Sequence, residues 1–314
     1  MSIAQAMNSQ IFLIYLGIVG GLLVFAGSVL GILYLIGKDV SGPARTYRGW
    51  IMMTPIVLGA IFLGREATII GVVLLAIIGF KEFARATGLY EDWWMTGTVY
   101  LAIAILGVVS FIPDPRLDQH GWYGFFMALP VFVIAVILLI PILRNRAKGQ
   151  LQKVALAILG FIYFGWMFMH LGFLANTPNA YGYLLYLALA VEINDIAAFT
   201  FGKIFGKRKL REEISPNKTM AGSVGAIIVS LALPWLLWFS FPHFQPIHLI
   251  LTGIIVGFGG QLGDLVISYI KRDIGIKDMG ATIKGHGGIL DRVDSMIFVA
   301  PIFFHMVRWF HGIG

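Results

Sequence analysis

The sequence predicts an all-α, polytopic integral membrane protein with about eight to ten transmembrane helices. Three observations carry that prediction. Apolar runs recur from one end of the 314 residues to the other, and mean hydropathy is +0.85. Charged residues make up 12% of the chain, about half the share in a soluble domain of this length. The alternating pattern of barrel strands is absent, so helices must satisfy the backbone in lipid.

Taken in order, the first apolar run is 11–37, which holds no charge and is long enough to span. The start, MSIAQAMNSQ, lacks a basic segment, so a cleavable signal peptide is not expected. The runs 50–63 and 67–80 fall short of the ~20 residues a bilayer needs, which predicts a tight hairpin or a partly re-entrant pair. Runs 96–112, 124–143 and 154–175 are plain spans. The run 181–201 is broken by Glu192, Asn194 and Asp195. Run 220–240 follows a polar turn, 247–270 carries Asp264 deep inside it, and 294–311 closes the series.

The loops between these runs alternate in charge. Twenty of the 23 Lys and Arg residues lie in loops 38–49, 81–95, 144–153, 202–219 and 271–293. By the positive-inside rule that side is cytoplasmic, and with ten spans both termini face outward. Trp93, Trp94, Trp122 and Trp309 lie near segment ends, where interfacial aromatics belong. Cysteine is absent, which removes disulfides, thiolate nucleophiles and thiolate metal sites. The segments before about residue 150 carry little polar chemistry. His120, His243, His248, His305 and His311 read as scattered, and His170 as a hydrogen-bonded core residue.

Three polar constellations occupy residues 190–300. In the first, Glu192 and Asp195 share a helix face inside a span, where ionisable groups usually face a polar cavity. A basic loop and SPNKT follow. Asn217, Lys218 and Thr219 supply donors just before a helix start, a site suited to phosphate. In the second, Asp264, Ser268 and Lys271 fall at intervals of four and three, on one helical stripe. In the third, SYIKRDIGIKDMGATIKGHGGILDRVDS, Lys271, Arg272 and Lys277 give positive charge, and Gly285–Gly288 gives bare amides around His286. Asp291 and Asp294 sit one turn apart at the mouth of the last span. Oxygen donors with few His and no Cys favour a hard cation such as magnesium. His286 reads equally as a proton-transfer group or as a donor to phosphate.

The third constellation resembles the signature of the phosphatidate cytidylyltransferase (CDP-diacylglycerol synthase) family. Ser268, Lys271, Arg272, Lys277, Asp278, Gly280, His286, Gly287, Gly288, Asp291, Arg292 and Asp294 all fall in its register. The upstream Asn194-Asp195, FGKIFGKRKL and SPNKT are similar in order and distance. The resemblance implies transfer of a cytidylyl group from CTP to phosphatidate, giving CDP-diacylglycerol and pyrophosphate by metal-assisted in-line attack. It implies magnesium, with room for a second cation, held by Asp264, Asp291 and Asp294. Catalytic roles fall to Asp264, Asp291, Lys271 and His286. Substrate contacts fall to Asp195, Asn217, Lys218, Thr219, Ser268, Arg272, Lys277, Asp278, Gly287, Gly288 and Arg292. The partners are CTP, phosphatidate or a related anionic lipid, and the membrane, with no nucleic acid and a homodimer left open. Residues 1–150 would be a scaffold with a route for lipid. Residues 151–314 would be the catalytic region, facing the cytoplasm from a bacterial inner membrane. Lys284 stands where the family has Pro, and Met220 and Ala221 where it has Trp and Glu. A polyprenol-type lipid kinase using CTP, or a divergent paralogue with altered substrate or no activity, is the alternative.

Overall fold

The computed structural model describes residues 1–114, 120–280 and 288–312. A short α1 (Ile3–Asn8) leads into α2 (Gln10–Leu35), α3 (Ser41–Leu63), α4 (Arg65–Ala86), α5 (Trp93–Phe111) and α6 (Tyr123–Leu143). Next come α7 (Gln150–Gly160), a π-helical stretch (Phe161–Met167) and α8 (Phe168–Leu174), which run on as one span. The last four helices are α9 (Ala180–Phe205), α10 (Met220–Leu236), α11 (Pro246–Asp273) and α12 (Leu290–His311). Among the described residues nine helices are long and apolar enough to cross a membrane, and α10 is a shorter apolar helix of 17 residues.

The apolar runs 50–63 and 67–80 are the cores of full-length helices, with no re-entrant pair. Helices α3 and α4 have 23 and 22 residues because Arg45 and Arg48, and Lys81, Glu82 and Arg85, continue them past the apolar stretch. They meet at Gly64, whose φ of 113° suits glycine. A Cβ there would also lie 3.0 Å from the Met1 carbonyl. Within the loop 202–219, β1 (Lys209–Arg211) and β2 (Ser215–Thr219) form an antiparallel pair, so SPNKT, where Pro216 favours a turn in sequence, is a strand.

The core lies among α4, α5, α6, the π-helical stretch, α8, α9 and α12 and is dominated by Phe80, Phe83, Phe126, Phe164, Phe303 and Phe304. Trp93, Trp94 and Trp309 are exposed at helix ends, as interfacial rings should be. In the π-helical stretch the wider turn directs Tyr163 Oη to the Gly263 carbonyl of α11 at 3.5 Å. His170 follows, fully buried, with Nδ1 against the Trp166 and Met167 carbonyls at 2.9 and 3.1 Å.

The other histidines are less scattered than the sequence suggests. His311 lies edge-on to His243 and His248, with ring centroids 4.7 Å apart in both pairs. Burial, and then the neighbouring His311 and His248, lower the His243 pKa to about 4, so it is neutral near pH 7.

Polar contacts also fix the basic side. Asp92, at the start of α5, is 4% exposed and accepts from Arg144 Nη1 at 2.7 Å and from Lys153 Nζ at 3.1 Å. Burial alone would raise its pKa; the two cations outweigh that and hold it below the usual carboxylate value. Its stabilising effect is therefore complete above the unfolded-state pKa, about 3.9, and is lost as pH falls through the depressed folded value. Asp92→Asn is expected to lower the stability of the detergent-solubilised protein by about 3 kcal/mol at pH 7. Thermal melts across pH should show the gap to wild type closing in acid.

Candidate functional site

Four helices and one strand bring the polar residues together. Helices α9 and α10 pack closely because glycines line their contact. A Cβ on Gly222 would strike the Ala198 carbonyl, and one on Gly225 would enter the Phe201 ring. Thr219 caps α10, accepting from the Gly222 amide at 3.1 Å, and so joins the end of β2 to the start of that helix. Asn194 of α9 donates to Ser230 of α10 at 2.8 Å, both fully buried. Ser223 of α10 donates to Gln261 of α11 in a short hydrogen bond, and Gln261 Nε2 returns one to the Ser223 carbonyl at 3.1 Å.

Helices α11 and α12 approach at Gly263. A Cβ there would lie 2.5 Å from the Asp294 carbonyl oxygen and 2.8 Å from Ser295 Cα. The approach places Asp264 beside Asp294. These two carboxylates and Asp195 of α9 act on one another electrostatically. Glu192 and Arg292 also act on Asp195, and Lys218 acts on both Asp195 and Asp294. Carboxylates at this depth require a cation, a metal or hydrogen bonds.

Two lysines answer part of that requirement. Lys218 Nζ on β2 lies 2.6 Å from Asp264 Oδ2, and Ser268 Oγ donates to Asp264 Oδ1 at 3.1 Å. Lys271 Nζ lies 2.8 Å from Asp291 Oδ1. Asp291 Oδ2 accepts from the amides of Met279 at 3.3 Å and Gly288 at 3.1 Å. The helical stripe from Asp264 to Ser268 thus forms as the spacing predicts, but Lys271 turns to Asp291 and Lys218 takes Asp264. Arg272 Nε donates to the Ile214 carbonyl at 3.4 Å, bracing the strand pair. Asn217, Lys277 and Asp278 are exposed. His286, Gly287 and Lys284 lie outside the described residues. Met220, at the first position of α10, is 41% exposed.

A family model described as the cytidylyltransferase family matches residues 44–310. The chain belongs to the cytidylyltransferase family. A phosphatidate cytidylyltransferase of Staphylococcus haemolyticus (strain JCSC1435) is 34% identical over 248 residues, covering 79% of this chain and 92% of the relative. One of Staphylococcus aureus (strain COL) is 37% identical over 233 residues, 73% and 85% of the two chains. The Escherichia coli (strain K12) protein named "Uncharacterized protein YnbB" is 29% identical over 278 residues, 87% and 89% of the two chains.

This cytidylyltransferase draws one further acidic residue to the site, one that the sequence does not single out. Glu82 of α4 is 6% exposed and accepts from the amides of Ile289 and Leu290. In sequence it lies between Lys81 and Arg85 at the edge of an apolar run, the pattern of a solvated helix end. Only the packing of α4 on α12 reveals it.

The close approach at Gly263 gives a direct test. Gly263→Ala must force α11 and α12 apart and should destabilise the protein by about 1–3 kcal/mol. Gly17→Ala on α2, where nothing lies within 4 Å, should be neutral. Thermal melts of the two variants in the same detergent make the comparison.

Proposed function

We propose that this cytidylyltransferase converts CTP and phosphatidate to CDP-diacylglycerol and pyrophosphate, at the cytoplasmic face of a bacterial inner membrane. The observation that carries the reading is the pairing of Asp264 with Lys218 and Asp291 with Lys271 beside the buried Asp294. Cations suited to phosphates and carboxylates suited to a divalent ion share one polar region. The names of the relatives and the twelve-position signature support the substrates, and the clustering of basic residues in alternate loops supports the orientation.

The residues fit magnesium. That ion takes one or two carboxylates and completes its shell with water and substrate phosphates. Among the described residues no three His, Asp or Glu side chains form a ready cage. The neighbouring Asp264 and Asp294, with Asp291 one turn before the latter, instead offer a partial set of hard oxygens. Asp264, Asp291 and Asp294 would hold the ion. When bound, magnesium offsets negative charge on the α-phosphate and the departing pyrophosphate.

The chain's own groups position the substrates. Lys218 and Lys271 bind the triphosphate, with Arg272 and Asn217 beside them. The capped start of α10 at Thr219 adds the positive end of the helix dipole. A phosphate oxygen of phosphatidate attacks the α-phosphorus in line; that P–O bond forms as the bond to the β-phosphate bridging oxygen breaks, and pyrophosphate leaves. A phosphate monoester is largely ionised near pH 7, so neither a protein nucleophile nor a strong base is needed.

The purified protein in detergent, given labelled CTP, phosphatidate and magnesium, should release CDP-diacylglycerol and pyrophosphate in equal amounts, and chelation should stop it. Release of CDP with a phosphorylated lipid would make it a kinase, and absence of any turnover would remove the assignment. Asp264→Asn and Asp291→Asn should each lower kcat by roughly 100-fold or more. Lys218→Ala should raise the KM for CTP about tenfold, the loss of one charge-assisted contact.

A further inference from the structure

We propose that Glu82 is a positioning residue for this site: from α4 its carboxylate clamps the first turn of α12 and thereby sets where Asp291 and Asp294 stand. The proposal rests on the reading of the site given above and extends it into the N-terminal half of the chain.

The geometry is a two-pronged grip. Ile289 N donates to Glu82 Oε1 at 3.1 Å, and Leu290 N donates to Oε2 at 2.9 Å. These amides belong to the start of a helix, where backbone donors lack partners within the helix and negative charge is favoured. Leu290 is fully buried, with Cδ1 3.5 Å from where a Cβ on Gly79 would stand. Gly79 is three residues before Glu82, on the same face of α4, so an apolar contact and a polar one lock the two helices side by side.

Glycines close on the carboxylate from two further directions. A Cβ on Gly280 would lie 2.6 Å from Glu82 Oε1, and one on Gly288 would collide with Oε2. Both glycines belong to the signature, and their lack of a side chain admits Glu82. Asp291 completes the arrangement from the other side by accepting from Met279 N and Gly288 N. Two carboxylates from different helices thus take up the amides of residues 279, 288, 289 and 290. Moving Glu82 moves the frame in which Asp291 meets Lys271.

Glu82→Gln keeps the side chain's size and one acceptor oxygen, but turns an NH2 group on an amide donor. The variant should stay folded, melting somewhat below wild type for the buried donor–donor contact. Its kcat should fall roughly 10- to 100-fold, the cost of a misplacement of about 1 Å, with the KM for CTP within about threefold of wild type. Glu82→Asp, which restores the carboxylate on a shorter arm, should recover part of the lost kcat. Hydrogen exchange at the Ile289 and Leu290 amides should accelerate in Glu82→Gln. Wild-type turnover with unchanged exchange would overturn the proposal. So would a fall in kcat that merely tracks the folded fraction, since that marks a structural role alone. If the wild-type protein makes no CDP-diacylglycerol, the functional reading fails, and the exchange measurement still decides whether the grip exists.

Discussion

A carboxylate placed among apolar helices must find a cation, a metal or an amide, because removing it from water without one is prohibitive. This protein carries Glu82, Asp195, Asp264, Asp291 and Asp294 in such surroundings. Beyond local contacts, the partners they find come from different parts of the chain: Lys218 from a strand, Lys271 from the end of α11, and the amides of Ile289 and Leu290 from the start of α12. Satisfying the acids therefore ties together elements that hydrophobic packing alone would leave free to slide. Apolar contact in lipid gives little discrimination between one helix register and another. The acidic residues supply it.

The same tie depends on small residues. Lysine and aspartate can meet across α11 and α12 only if the two backbones come close, and Gly263 permits this by leaving room for the Asp294 carbonyl. Between α9 and α10, Gly222 and Gly225 do the equivalent for Ala198 and Phe201. The close approach then makes the hydrogen bond from Asn194 to Ser230 reachable. Polar specificity and tight helix contact are here one design, each requiring the other.

Much of this was legible in the sequence, and the part that was not has a common cause. Hydropathy located the spans, because lipid imposes length and polarity on every one of them. The third constellation was legible because its residues sit at short, fixed spacings, and the pairing of Asp264 with Ser268 follows from one helical turn. Helical geometry set Lys271 on the Asp264 stripe, yet the lysine is 2.8 Å from Asp291, which arrives from a separate helix. Lys218, 46 positions before Asp264, could be assigned to it only through the fold. Glu82 and the grouping of His243, His248 and His311 were hidden for the same reason. Helices α3 and α4 outrun their apolar stretches because charged residues end an apolar run without ending a helix.

The π-helical stretch between α7 and α8 has a consequence of its own. One surplus residue in a helix rotates everything after it by about 100° relative to an uninterrupted α-helix. Deleting a single residue from 161–167 would thus return the span to regular winding while swinging His170 out of its pocket and parting Tyr163 from Gly263. Length in this stretch is fixed as firmly as its buried side chains Phe161, Tyr163 and Phe164: the tally of residues cannot change.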